Sequence, residues 1–432
     1  MRVSALWRGT LTLLAGGAAA QVLPLLLGPW LTRLYSPSEF GQFSLLWTVA
    51  TNLAVVGCAR YEFALPLARE DSAAQALLAL CARVLLAVTL ASAVLALLWW
   101  AWAAAGEGAS PLILWLPLAV LAGALAQALT LWATRAQAFA ALAWARVLQY
   151  GGAALLQLGL GLAAFGALGL LLGPVLAALA AALWLARTAP PLGLTGGRWR
   201  RWWAVWRTPG WQAQARLHRD FPLLNTPHAF ASALQDSLAL LLLVHLSGDA
   251  AAGYWALALR YLKAPAGLVG GALSQSLYPQ LVACAEPVAA RRLVRQSMLA
   301  LSALALPLAV VLLLWGPELF AWVFGERWTD AGELARALAP YVALHFVASP
   351  LGVVTLAWRA QAWALRLALV GQVAFVAGIM LGWHSGGLIG AAWGVSAAML
   401  LYFGYYFWAL ATWSRWPAQD ALTPDPSTPR TP

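Results

Sequence analysis

Charge is scarce in this chain. Of 432 residues, 26 are basic and 15 acidic, so 9% are charged while 62% are hydrophobic, and mean hydropathy reaches +0.76. Soluble domains run near 25% charged, because a compact particle in water must cover itself with polar groups. These proportions exclude a water-soluble globule and leave no room for a large soluble domain. Lysine is almost missing: Lys263 is the one lysine beside 25 arginines. The arginines are scattered between apolar runs and form no basic face, which excludes a nucleic-acid partner despite the net charge of +11. Cysteine is scarce too. Cys58, Cys81 and Cys284 are an odd number without paired spacing, so neither a disulfide framework nor a metal site is expected, and they read as small apolar fillers. A glycine-rich phosphate loop, a DxD pair and a nucleophile arrangement are also missing, so an enzyme is not expected.

Long apolar runs take up most of the sequence. Bounded by Pro, Gly or charge, they fall near 9–31, 42–66, 84–105, 111–133, 147–166, 169–186, 222–246, 252–277, 298–315, 335–357, 367–383 and 387–411. A helix needs about 20 apolar residues to cross about 30 Å of hydrocarbon, so these are twelve expected transmembrane helices. Arg2 and Arg8 ahead of the first run, and Ala18-Ala19-Ala20 within it, imitate a signal peptide. Hydrophobicity continues to Leu31, too far for a signal, and the helix is expected to be retained. With the N-terminus in the cytoplasm, only Arg33, Arg327 and Arg336 fall outside, whereas the other loop arginines fall inside. The positive-inside rule therefore places both termini of this multi-pass membrane protein in the cytoplasm.

The sequence also repeats itself weakly. Arg135-Ala136-Gln137-Ala138-Phe139 returns as Arg359-Ala360-Gln361-Ala362-Trp363, offset by 224. Gly166, Gly169 and Gly173 return as Gly387, Gly390 and Gly394, offset by 221, and Gly41-Gln42-Phe43 resembles Gly253-Tyr254-Trp255, offset by 212. Six spans separate the copies, an even number, so the halves share one orientation across the membrane. The expected organisation is an N-terminal lobe over 1–186, a connector over 187–221, a C-terminal lobe over 222–411 and a disordered cytoplasmic tail over 412–432. The connector carries seven arginines and five tryptophans. Cations interleaved with aromatics suit a helix in the headgroup layer, and a plain positive-inside linker fits equally.

A charge inside the hydrocarbon costs about 2.5–3.5 kcal/mol on insertion scales, so the exceptions carry information. They are Arg60, Glu62, Asp236, Arg260 and Lys263. In the seventh run Asn225, Ala229, Ser232 and Asp236 are spaced 4, 3 and 4, which puts them on one helix face with His228 beside it. Arg260 and Lys263 share a face of the eighth run, continued by Gly267, Gly270, Gly271 and Ser274. Two accounts fit. Asp236 pairs with Arg260 or Lys263 to join two helices, or the cations line a cavity for an anionic group while the acid exchanges with a driving ion. Arg60 and Glu62, two apart, point to opposite sides of a helix and do not pair.

Several ordered motifs are similar to those of one known family. Thr32-Arg33-Leu34-Tyr35-Ser36-Pro37-Ser38-Glu39-Phe40-Gly41, Arg60-Tyr61-Glu62, Phe221-Pro222, Gly253-Tyr254, Arg260 with Pro265, Phe324-Gly325-Glu326-Arg327-Trp328, Ala331-Gly332 and Ser349-Pro350 resemble the polysaccharide transporters of the multidrug/oligosaccharidyl-lipid/polysaccharide superfamily. These are the Wzx-type polysaccharide and O-antigen flippases. The resemblance implies an all-α polytopic fold, two six-helix lobes around a central cavity. It also implies transfer of an undecaprenyl-diphosphate-linked oligosaccharide from the inner to the outer leaflet, coupled to an ion gradient, in surface polysaccharide and lipopolysaccharide synthesis. On this reading Arg260, Lys263 and Arg60 meet the diphosphate, while Asp236, Glu62, Asn225, Ser232 and His228 couple ions or line the cavity. No cofactor is expected beyond a proton or sodium gradient. The expected partners are the lipid-linked substrate, membrane lipids, and polysaccharide polymerase and chain-length proteins. The alternatives are a drug/cation antiporter, a peptidoglycan-precursor flippase of the same superfamily, or a membrane polymerase or ligase.

Overall fold

A computed structural model describes residues 22–104, 110–189, 198–284 and 286–414. The start of the first apolar run and most of the expected tail lie outside the described residues, as do the side chains of His228, Ser232 and Asp236. Every regular element among the described residues is helical: α1 (Val22–Leu34), α2 (Pro37–Val55), α3 (Asp71–Ala104), α4 (Leu116–Arg135), α5 (Phe139–Arg146), α6 (Gly152–Leu162), α7 (Gly166–Thr188), α8 (Arg198–Val205), α9 (Trp211–Leu217), α10 (Thr226–Ala283), α11 (Pro287–Phe324), α12 (Thr329–Ala357) and α13 (Gln361–Ala411). Short 3-10 or π turns join several of them. Eight helical stretches among the described residues are long and apolar enough to cross a membrane. Two long helices each hold two of the expected runs, divided by glycines in non-helical geometry: Gly248 in α10, and Gly386 with Gly387 in α13.

The chain forms two compact units. One runs to Ala256 and includes Val323–Arg327; the other comprises Leu257–Trp322 and the chain from Trp328 onward. In the first unit α2 starts with a full capping box: Ser36 Oγ accepts from the Glu39 amide at 3.3 Å, and the Glu39 carboxylate accepts from the Ser36 amide at 2.7 Å. Pro37 occupies the first helical turn, where its missing N–H costs nothing. The buried Tyr35 hydroxyl donates to the Gln157 carbonyl at 2.6 Å, and Gln157 Nε2 donates to the Leu170 carbonyl at 2.7 Å. Polar atoms on three elements are thereby satisfied inside an apolar core. The connector helices belong to this unit. Trp202 Nε1 donates to the Ala186 carbonyl at 3.0 Å, and Arg83 lies between the rings of Trp206 and Trp211, 5.8 and 5.0 Å from their centroids.

The second unit is built on α12 and the two arms of α13. The arms touch backbone to backbone: a Cβ at Gly382 would lie 2.2 Å from the Gly390 carbonyl oxygen, and one at Gly394 equally close to that of Gly378. Small residues permit this approach where apolar burial cannot drive helices together in lipid.

Backbone geometry sharpens the internal repeat. Gln137 and Arg359 both have φ of 53°, and Gly166 and Gly387 have φ of 57° and 60°. The turns carry the same hydrogen bonds: Ala136 and Ala138 amides to Trp132 and Ala133 carbonyls in one unit, Trp358 and Ala360 amides to Val354 and Thr355 carbonyls in the other. These pairs are all 222 residues apart, beside 221 for the glycines. The Arg-Ala-Gln-Ala letters, at 224, are thus two residues out of step with the turn they mark.

Candidate functional site

Each unit holds some of the charges that the apolar runs enclose. In the first, the second apolar run does not continue as an α-helix. The chain leaves α2 at Val55, turns through left-handed Ala59 (φ 48°) and Arg60 (φ 62°), and enters a 3-10 turn over Tyr61–Leu67. A non-glycine residue pays for that backbone, so two in succession make an over-determined turn. Arg60 and Glu62 therefore lie on a turn and not on opposite faces of a helix. The Arg60 guanidinium sits 4.5 Å from the Phe63 ring centroid and remains half-buried. Glu62 is 2% exposed, and its Oε2 has no hydrogen-bond partner among the described residues. An orphaned carboxylate oxygen in an apolar surrounding is costly, and at a site that binds ions it has a purpose. Tyr61 anchors the turn in a cluster with Cys58, Cys81 and Leu85, so two of the three cysteines serve as core packing.

Residues that sequence reasoning did not single out complete this unit. Asn52 and Ser237, both buried, bond side chain to side chain, and Gln42 Nε2 donates to Asp249 Oδ2 at 2.8 Å. Asn52 and Gln42 lie in α2, Ser237 and Asp249 in the part of α10 that precedes Ala256. For Asn52 and Ser237 the only clue was a polar residue inside an apolar run; Asp249 lies between two of the runs. Asn225 ends a π turn just ahead of α10 and is exposed, while Ala229, on the same expected stripe, is buried.

Arg260 and Lys263 belong to the second unit, on α10 beyond Ala256. Both are half-buried. Lys263 Nζ stands 6.0 Å from the centroid of the Tyr341 ring on α12, at the outer reach of a cation–π contact. Tyr341 packs in turn on His345, Phe375 and Phe403, with centroids 5.9, 5.7 and 6.4 Å away. The residues after Lys263 split into two strips. Gly270 lies against Ser349 Oγ, which an added Cβ would meet at 3.0 Å, and Ser274 Oγ donates to the Pro350 carbonyl at 3.2 Å. That strip packs on α12. Gly267 and Gly271 are exposed and would meet nothing within 4 Å, and helical spacing puts them in line with Arg260. Arg260 thus stands in line with two exposed glycines, and no acidic side chain among the described residues forms an ion pair with it. Such an arrangement can receive an anion with room beside it for a polar body. Among the described residues no cluster of three His, Cys, Asp or Glu could hold a metal.

Solved structures share this architecture. The lipid II flippase MurJ in its inward closed conformation aligns with a TM-score of 0.69 at 11% identity, over 95% of this chain and 89% of that one. A MATE transporter in complex with MaL6 aligns at 0.55 and 14% identity, over 94% and 95% of the two chains. An outward-facing multidrug resistance MATE transporter of the MOP superfamily aligns at 0.50 and 14%, over 94% and 96%. At these identities the likeness establishes the fold. A comparison with curated proteins finds no match. The profile of the family described as "Polysaccharide biosynthesis protein" matches residues 30–333, well over half of the sequence, and includes Glu62, Arg260 and Lys263. The chain therefore belongs to the polysaccharide biosynthesis protein family, and it has the helical fold of the lipid II flippase MurJ and the MATE transporters.

Proposed function

We propose that this protein flips an undecaprenyl-diphosphate-linked oligosaccharide repeat unit from the inner to the outer leaflet of the bacterial cytoplasmic membrane, by ion-coupled alternating access, for surface polysaccharide synthesis. The reading rests on Arg260. A guanidinium half-buried in an apolar helix is expensive, and it forks bidentately onto phosphate oxygens. Lys263, one turn on, adds a second positive charge on the Tyr341 side. The open strip at Gly267 and Gly271 leaves space for sugar hydroxyls. Arg60, half-buried on the turn after α2, is the further cation of this reading. The lobe division, the twelve spans and the cytoplasmic termini stand on the arginine distribution and the internal repeat.

Coupling needs an acid that gains and loses an ion during the cycle. Glu62 has the environment for it, a buried carboxyl with one oxygen unclaimed among the described residues. Asp236 is the second candidate, from its place in the seventh apolar run. A strain lacking this chain is expected to lose surface polysaccharide and to accumulate lipid-linked repeat units on the inner leaflet; unchanged polysaccharide would reject the reading. The fold match to the lipid II flippase supports a second reading, a peptidoglycan precursor as cargo. It predicts intact polysaccharide and failed cell-wall synthesis in the same strain.

A further inference from the structure

The first unit contains a cavity of about 570 Å³ that neither coupling nor substrate binding uses. Leu86 of α3, Leu121 of α4 and Leu179 of α7 line its deep end; Trp202, Trp203 and Trp206 of the connector line its mouth. All its lining side chains are apolar or aromatic, so water gains no partners there. From Leu78 to Leu86 on α3, and from Leu121 to Leu129 on α4, the walls run about 12 Å along the helix axes. One leaflet of a bilayer is about 15 Å of hydrocarbon, so the cavity is about as deep as one leaflet. Its mouth is at the headgroup level on three grounds. The α7 end that meets α8 is its last turn, Trp203 is 75% exposed, and the segment 187–221 carries seven arginines against the single acid Asp220. Exposed tryptophans and clustered cations mark a membrane interface. Arg200 and Arg207 beside the mouth are exposed, and neither forms an ion pair among the described residues.

We propose that this cavity holds an acyl chain of an anionic phospholipid from the leaflet that borders the connector, with its headgroup on Arg200 and Arg207. The depth fits one acyl chain, and a polyprenyl chain long enough to cross both leaflets overruns it. Arg83 fixes the mouth, since it donates to the Ala79 carbonyl at 2.9 Å and to the Trp206 carbonyl while wedged between two indoles. The bound lipid ties α8 to α3, α4 and α7 and makes it part of the bilayer surface.

The test uses the full chain in vesicles that contain a phosphatidylglycerol or a phosphatidylcholine probe with a diazirine near the acyl-chain end. After irradiation, peptides over 78–86 and 121–129 are expected to carry several-fold more phosphatidylglycerol label than phosphatidylcholine label. Arg200→Glu with Arg207→Glu, both exposed and so harmless to folding, should remove that preference. Ala82→Phe, which fills the cavity, should lower labelling by both probes there but leave the exposed belt at Leu97 and Trp102 labelled as before. Equal labelling by both lipids in the unaltered protein, labelling undiminished by Ala82→Phe, or stronger labelling by a diazirine-bearing polyprenyl phosphate would each overturn the assignment.

Discussion

Gly41 of α2 and Gly253 of α10 meet with no room for a side chain on either. A Cβ at Gly41 would lie 1.8 Å from the Asp249 carbonyl oxygen, and one at Gly253 would lie 1.9 Å from that of Pro37. The glycines that looked like one half of a repeat in sequence are the two sides of a single crossing, whose neighbours Gln42 and Asp249 bond across it.

That crossing is therefore intolerant of any added atom. Gly41→Ala and Gly253→Ala each press a methyl into backbone, which cannot swing away, and each should destabilise the protein by at least about 1–3 kcal/mol. Thermal unfolding of the detergent-solubilised protein reads this as a lowered midpoint, while Gly267→Ala, in open space, should leave it unchanged.

Removing the cations tests the proposed diphosphate site. Arg260→Ala and Lys263→Ala should each slow flipping of a fluorescent lipid-linked oligosaccharide in proteoliposomes by tenfold or more, a loss of about 1.4 kcal/mol or above. Membrane insertion should persist. Arg260→Lys should rescue little, because an ammonium cannot fork onto a phosphate. If the protein instead vanishes from the membrane, the residues are structural.

Glu62→Gln separates coupling from stability. The amide keeps the shape and removes the buried charge, so the variant should unfold no more easily than the original. Transport should lose its acceleration by an imposed ion gradient. Retained acceleration would pass the role to Asp236, for which Asp236→Asn is the matching substitution.

The break in α13 gives a paired control. Gly387 has φ of 60° and ψ of −141°, a region closed to side-chain-bearing residues, whereas its neighbour Gly386 is extended at φ −162°. Neither faces a steric obstacle. Gly387→Ala should cost about 1–3 kcal/mol by backbone strain alone, and Gly386→Ala should be close to neutral. Equal midpoints for the two variants would refute the strain argument.

Arg83→Ala should free the connector. With its two carbonyl bonds and two indole contacts gone, amide exchange over 198–217 should quicken while α4 and α7 remain protected. Arg83→Lys should restore only part of the protection, since a lysine cannot stack between indoles.

Much of the architecture was legible because lipid makes hydrophobicity a direct reporter of position. Most apolar runs among the described residues became helices, and the repeat glycines became turns and contacts. The site was less legible. Arg260 and Lys263 stood out as charges in an apolar run. Asn52 and Ser237 did not, since an uncharged polar residue costs little enough to pass unnoticed until its partner is known. Arg60 and Glu62 looked like opposite faces of a helix, a spacing argument that fails when the backbone leaves α-geometry at Val55.

The sequence by itself determined the solvent, the helical class and which charges resist burial, because each of these follows from composition and local period. Tertiary structure decided what those charges face. The scarce charge of this chain gained a setting only when folding left one oxygen of Glu62 without a partner among the described residues and set Arg260 in line with the exposed Gly267 and Gly271. Burial and vacancy depend on contacts between residues far apart in the chain, and no local pattern encodes them.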